Sequence, residues 1–373
     1  MPPLHLLIKP ASGLCNMRCS YCFYHDISQK RQQASYGIMN ESTQENVLRR
    51  AFEFADHQIT IAYQGGEPTL AGLAYFARAQ ELQAKYNVKN IRINNAIQTN
   101  GLDIDESWAR FFADNNFLVG LSIDGTKDSH DRYRIDHTGK GTFNRIMKTT
   151  RLFDKYNVQY NILTVVNSLT ARHIQSIYSF FKKNGFKYLQ FIPCLDPLGE
   201  KPGSSQYSLT NDMFSDFMIR LFDAWYRDVE AGQNISIRTF DNYISMLMGY
   251  PPESCNMGGI CSAQNVVEAD GSVYPCDFYV LDQYNLGNLN YIGFDEISQK
   301  ATAASFIEES AQFSLECREC EYFFICRGGC KRMRSIPEEG GVPHYYFCEG
   351  HKAFFSHSLD RMRSLARRLS MRR

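Results

Sequence analysis

The chain has no surplus of either charge: lysine plus arginine come to 40, and aspartate plus glutamate to 40. A broad electrostatic field that would gather nucleic acid or an anionic membrane is therefore excluded as an organising feature. Long apolar runs are also missing, since none approaches the ~18 residues needed to span a bilayer. The opening Met-Pro-Pro-Leu-His-Leu-Leu-Ile-Lys has no charged segment leading into a long apolar one, so it does not read as a secretory signal. No internal repeat or low-complexity tract stands out. These absences predict a protein of the cytoplasm, where structural disulfides are rare. The 12 cysteines therefore need another use. With 373 residues, there is room for one large domain and a smaller one.

The most telling absence is local. Cys15, Cys19 and Cys22 lie in Cys-Asn-Met-Arg-Cys-Ser-Tyr-Cys, with no fourth cysteine nearby. An electron-carrying four-iron cluster closes all its corners with thiolates. Three thiolates on one loop leave an iron open to an outside ligand, as catalytic zinc sites keep a vacant position. Read in isolation, the loop also suits a zinc knuckle.

From residue 4 to about 232, β-rich runs alternate with amphipathic stretches. The strands expected are Leu4 to Ile8, Ile59 to Gln64, Ile91 to Gln98, Phe117 to Ile123, Val158 to Val166 and Tyr188 to Pro193. Helical patterns between them include Ser42 to Ala55, Leu73 to Tyr86, Thr142 to Tyr156 and Ala171 to Lys183. Such alternation predicts βαβ units and a parallel sheet. Six units are too few to close an eight-stranded barrel, so an open, partial (β/α)6 barrel is expected, its reactive face at the carboxyl ends of the strands. The Pro-, Gly- and Ser-rich tract Leu195 to Leu209 reads as a long loop before a helix, Asn211 to Ala231. Character changes near residue 235, which divides the chain into 1–234 and 235–373. A last helix, Lys352 to Arg373, carries Phe355, Leu359, Met362, Leu365 and Leu369 on one stripe and arginines on the other side.

Cysteine spacing dominates the second part: Cys255, Cys261, Gly271, Cys276, then Cys317-x2-Cys320-x5-Cys326-x3-Cys330, and Cys348. Eight thiolates make two complete tetrads, although Cys-x2-Cys pairs also serve zinc ribbons. Asp270-Gly271 reads as the hairpin turn that presents Cys276. Only Cys194 stands outside these spacings, and it reads as a small buried hydrophobe.

The first loop, with Tyr21 before its last cysteine, resembles the signature of the radical S-adenosylmethionine superfamily. Gln64-Gly65-Gly66-Glu67-Pro68 at the end of the second strand strengthens the likeness. Over the whole chain, Cys22-Phe23-Tyr24-His25, Ser35 to Met39, Gln64 to Leu73, Phe191 to Pro197 and Gly271 to Leu281 resemble the anaerobic sulfatase-maturating enzymes; the likeness is weaker between Arg132 and Thr142 and after Cys348. The resemblance implies α/β architecture with a radical SAM partial barrel and a SPASM domain. It implies three [4Fe-4S] clusters and S-adenosyl-L-methionine as cofactors. Cys15, Cys19 and Cys22 would hold the first cluster. Cys255, Cys261, Cys276 and Cys330 would hold one auxiliary cluster, and Cys317, Cys320, Cys326 and Cys348 the other. Tyr21, Gly65, Gly66, Glu67, Ser122, Arg134 and Leu195 would contact the cofactor, while Tyr24 and Gln64 would face the substrate. Asp277 would be the general base in the oxidation of a cysteine or serine of a sulfatase polypeptide to Cα-formylglycine. Implied partners are an unfolded or nascent sulfatase and a low-potential donor such as flavodoxin or ferredoxin. Other SPASM maturases, which crosslink through thioethers or modify ribosomal peptides, share every cluster motif.

Overall fold

The computed structural model describes residues 3–335 and 340–371. In chain order its strands include β1 (Leu4–Ile8), β2 (Gln58–Tyr63), β3 (Arg92–Thr99), β4 (Leu118–Ser122), β5 (Gln159–Val166) and β6 (Tyr188–Pro193), followed by β7 (Ser236–Ile237), β8 (Val266–Val267), β9 (Ser272–Tyr274) and β10 (Gly287–Asn288). Contacts divide the chain into two units that interleave in sequence. One comprises 1–122, 130–160 and 263–306; the other comprises 123–129, 161–262 and 307–373.

In the first unit the strand order is β10-β9-β8-β1-β2-β3-β4. β1 to β4 run parallel. On the far edge of β1, β8 adds in parallel, Leu7 opposite Val266, and a short antiparallel meander continues through β9 to β10. β2 alternates half-buried and buried residues, and Ile59, Ile61 and Tyr63 face the core. Tyr63 packs edge-on to Phe76 at 5.0 Å, from helix Leu73–Tyr86. Helices start where side chains supply the acceptors that backbone N–H groups lack. Asn40 Oδ1 takes the Thr43 N–H at 2.8 Å, and Asp105 Oδ1 takes that of Trp108 at 3.0 Å.

Strands β1, β2 and β3 stand within one or two residues of expectation. The meander does not follow from periodicity, because strands of two or three residues carry none. Gly271 is the expected turn: its φ is +89°, and Asp270 accepts the Ser272 N–H at 3.0 Å.

In the second unit β5, β6 and β7 pair in parallel. The helix expected over Ala171 to Lys183 is two helices, Ser168–Arg172 and Ile174–Lys183. Asn167 and Thr170 form a reciprocal capping box at the start of the first, which fixes its entry. No regular element lies between β6 and helix Asn211–Glu230, as the loop composition predicts. The terminal helix starts earlier than expected, at Cys348, and runs to Ser370. It packs along Asn211–Glu230 and buries Phe354, Phe355, Leu359, Met362 and Leu365. Leu369 is 38% exposed, so the apolar stripe ends before it. Part of the arginine face is spent within the chain: Arg361 reaches Asp223 at 2.8 Å, and Arg368 pairs with Glu230. Among the described residues no helix is long and apolar enough to cross a membrane.

Candidate active site

Cys15, Cys19 and Cys22 sit on the loop leaving β1, and none of them is in a disulfide. The loop closes through the Cys22 N–H to the Cys19 carbonyl at 3.2 Å, and Cys22 then precedes helix Phe23–Gln29. Residues 133–137 brace it. Arg18 N–H donates to the Ile135 carbonyl at 2.8 Å and Ser20 N–H to that of Tyr133 at 3.3 Å. His137 Nε2 donates to the Cys15 carbonyl at 2.7 Å. Burial pushes the Cys15 thiol up to about 12, with Glu67, Cys19 and Cys22 adding to the rise. Three crowded cysteines, one of them a buried thiol that resists ionisation on its own, suit a centre that brings its own positive charge.

The Gly65-Gly66 turn serves this loop directly. Gly66 N–H donates to Ser12 O at 3.0 Å and Glu67 N–H to Leu14 O at 2.7 Å. A Cβ on Gly66 would stand 1.9 Å from the Leu14 carbonyl oxygen. Gly65 has φ +133°, and its Cβ would meet Ser12 O at 2.9 Å. Both glycines are therefore required by the approach of two protein backbones, whatever they offer a ligand. Glu67 is 1% exposed. Its carboxylate accepts from Thr69 N at 3.1 Å, Thr69 Oγ1 at 2.7 Å, Thr99 Oγ1 at 2.8 Å and Asn100 N at 2.8 Å. It thereby ties the turn to the end of β3. Tyr21 is buried against Tyr133, ring centroids 5.9 Å apart, with the Arg134 guanidinium 5.7 Å from its ring. Ser122 ends β4, buried.

Asp277 follows Cys276 between β9 and β10 of the meander that extends β1. Tyr24 Oη donates to its Oδ2, and Gln64 Nε2 lies 3.4 Å from the same oxygen. Its Oδ1 is buried and has no hydrogen-bond partner, an orphan acceptor of the kind that points to a missing ligand. Burial raises the Asp277 carboxyl above its ordinary range, against the pull of Lys9 and the Tyr24 hydrogen bond. Lys9 is itself buried, 3.3 Å from Glu268 and 5.1 Å from the Tyr24 ring centre. Arg31 completes the ion cluster at 2.9 Å from Glu268. Sequence reasoning missed Lys9, Arg31 and Glu268; Lys9 and Glu268 each interrupt an apolar run, which was the available signal, while Arg31 lies in a polar stretch that gives none.

The second unit carries the other thiols except Cys276, which belongs to the first. Cys317, Cys320, Cys326 and Cys348 line one cavity with Phe323, Gly328 and Tyr345. Burial pushes Cys326 up to about 11 and Cys348 up to about 12, and neighbouring cysteines add to both. Cys255 and Cys261 act on Cys330, which burial pushes to about 11. A cavity lined by four cysteine sulfurs has the donor chemistry of an iron–sulfur site. Leu195 is half-buried in this unit, next to buried Cys194.

Residues 10–181 match the radical SAM superfamily, and residues 255–321 match SPASM, an iron–sulfur cluster-binding domain. A cysteine-type anaerobic sulfatase-maturating enzyme of Clostridium novyi is 46% identical over 372 residues, covering 100% of both chains. The chain belongs to the anaerobic sulfatase-maturating enzymes. A serine-type member from Bacteroides thetaiotaomicron is 30% identical, covering 95% of this chain and 89% of its own. The solved structure of native anSMEcpe with bound AdoMet and Kp18Cys peptide aligns with a TM-score of 0.94 at 46% identity, covering 98% of this chain and 100% of that one. The partial barrel expected from the strand count and the cysteine-rich SPASM domain implied by the resemblance together make the family fold.

Within that family frame, the first unit brings Tyr24, Gln64 and Asp277 to one point. It places Gly65, Gly66 and Glu67 against the cysteine loop, Tyr21 beside Arg134, and Ser122 at a strand end.

Proposed function

We propose that this enzyme oxidises a cysteine of a sulfatase polypeptide to Cα-formylglycine and that Asp277 is the base. The orphan Oδ1 of Asp277, beside Tyr24 and Gln64, carries the reading. When bound, the first cluster and S-adenosyl-L-methionine supply a 5′-deoxyadenosyl radical able to take hydrogen from Cβ. The chain's own residues do the rest. Cys15, Cys19 and Cys22 hold the cluster, while Tyr21, Gly65, Gly66, Ser122, Arg134 and Leu195 shape the cofactor's surroundings, with Glu67 fixing the turn. Tyr24 and Gln64 orient the Asp277 carboxylate on Oδ2 and leave Oδ1 to take the thiol proton. The one electron that remains would pass to the auxiliary centres when loaded, and the thioaldehyde so formed reacts with water to give the aldehyde and hydrogen sulfide.

We keep the two auxiliary ligand sets as the resemblance assigns them, and residues 235–373 as the region devoted to them. The substrate is an extended or nascent sulfatase segment, met in the cytoplasm, with a flavodoxin- or ferredoxin-like donor as reductant. Cysteine is favoured over serine because the cysteine-type relative stands at 46% identity and the serine-type one at 30%. Competition between two peptides differing only in that residue tests the preference. Faster conversion of the cysteine peptide is expected, and faster conversion of the serine peptide would reverse the assignment.

A further inference from the structure

Arg334 is the cation that no part of the reading above uses. Its guanidinium donates from Nε to Gly328 O at 2.9 Å, from Nη1 to Ser310 O at 2.6 Å, and from Nη2 to Gly259 O at 2.6 Å and Gly329 O at 2.9 Å. The Phe313 ring lies 4.6 Å beneath it. Among the described residues no carboxylate pairs with it. Yet it is in electrostatic reach of Cys261, Cys330, Cys317 and Cys326, two from each auxiliary ligand set.

The segments it stitches carry those ligands. Gly259 lies between Cys255 and Cys261, and Gly328 and Gly329 lie between Cys326 and Cys330. Ser310, whose carbonyl it holds, accepts the Cys261 N–H on its hydroxyl at 2.8 Å. A half-buried guanidinium without a carboxylate partner is costly unless its surroundings supply negative potential. Four carbonyl dipoles supply part, and two anionic thiolate clusters would supply the rest.

We propose that Arg334 is a shared positioning residue for both auxiliary centres: its fork fixes the two ligand loops, and its charge raises the reduction potentials of both together. A cation beside a cluster stabilises the reduced, more negative state. The fork also favours arginine over lysine, because a planar five-donor group can hold several carbonyls at fixed angles. The inference rests on reading both cysteine sets as iron–sulfur ligands.

The test uses the full reconstituted chain with Cys15, Cys19 and Cys22 changed to alanine, so that only auxiliary centres give signals. Iron and sulfide content and potentiometric titrations followed by electron paramagnetic resonance are compared for this parent, Arg334→Gln and Arg334→Lys. Arg334→Gln is expected to lower both midpoint potentials, while Arg334→Lys keeps them near the parent values but loads less iron. Unchanged potentials in a fully loaded Arg334→Gln, or a shift at one centre alone, would overturn the proposal. Should Arg334→Gln load no iron, retained helical circular dichroism with partial loading of Arg334→Lys supports the positioning role, and a lost helical signal counts against it. A parent that binds no iron would instead refute the reading of the cysteines.

Discussion

At the residue scale, the proposed chemistry turns on two side chains and one absent side chain. Asp277→Asn keeps the shape but loses the base, so it is expected to leave S-adenosylmethionine cleavage intact. Formylglycine formation should slow by about 10²–10⁴-fold, the usual worth of a positioned base. Equal loss of both reactions, measured as 5′-deoxyadenosine against product aldehyde, would remove Asp277 from that role. Cys15→Ala should abolish cleavage altogether, read on the same 5′-deoxyadenosine assay. Gly66→Ala is the sharper test of the turn. Its Cβ would meet backbone at 1.9 Å, which nothing nearby can yield to. Loss of about four irons of about twelve is expected, checked by iron analysis; normal loading would contradict it. The cysteines were legible in the sequence by their spacing, and the Gly-Gly-Glu-Pro turn by the family resemblance and its place at the end of the second strand. What the glycines do was not. A ligand and a second backbone demand the same missing Cβ, and only coordinates tell them apart. Lys9 and Glu268 were invisible for a related reason: they lie 259 positions apart in the chain.

At the element scale, two findings govern stability. The meander β8 to β10 carries Asp277 because it adds to the edge of β1, and no pattern in so few residues announces an edge. Longer elements read well: β1, β6 and helix Leu73–Tyr86 match expectation in full. The terminal helix was legible by its apolar stripe, while its first turn was hidden in the Cys348 region, where glycine and histidine interrupt the period. Phe354 on that helix is 0% exposed, so Phe354→Ala should cost about 3–5 kcal/mol, readable by denaturant unfolding. His351, one turn earlier, bonds Tyr243 Oη at 3.0 Å and stands among Phe214, Tyr345 and Phe355. Burial lowers it to about 4, partly offset by the Phe347 carbonyl. Its folded value is thus below the unfolded value of about 6.5. The unfolded chain binds the extra proton between those limits, so stability is complete above about 6.5 and declines as pH falls toward about 4. The span is worth about 3 kcal/mol. His351→Gln should flatten the fall of the melting temperature between those limits; an unchanged slope would show that another group governs it.

At the scale of the whole molecule, the chain is a frame for sulfur. Its 12 cysteines form no disulfide among the described residues, and 11 of them belong to the three ligand sets proposed above. Metal removal should therefore lower the melting temperature well beyond what loss of a surface ion would, because cluster binding is linked to folding. About twelve irons and about twelve sulfides per chain are expected, and zinc in their place would contradict the assignment. The strand count limited the fold from the start, yet the interleaving of the two units was not legible. It depends on which edges pair, and pairing is long-range.

The most direct test of the central claim is mass analysis of a sulfatase-motif cysteine peptide. The peptide is incubated without oxygen with the reconstituted enzyme, S-adenosylmethionine and reductant. The account predicts loss of SH2 and gain of one oxygen at that cysteine, in step with 5′-deoxyadenosine. Cofactor cleavage with an unchanged peptide, or loss of two hydrogens into a thioether crosslink, would contradict it.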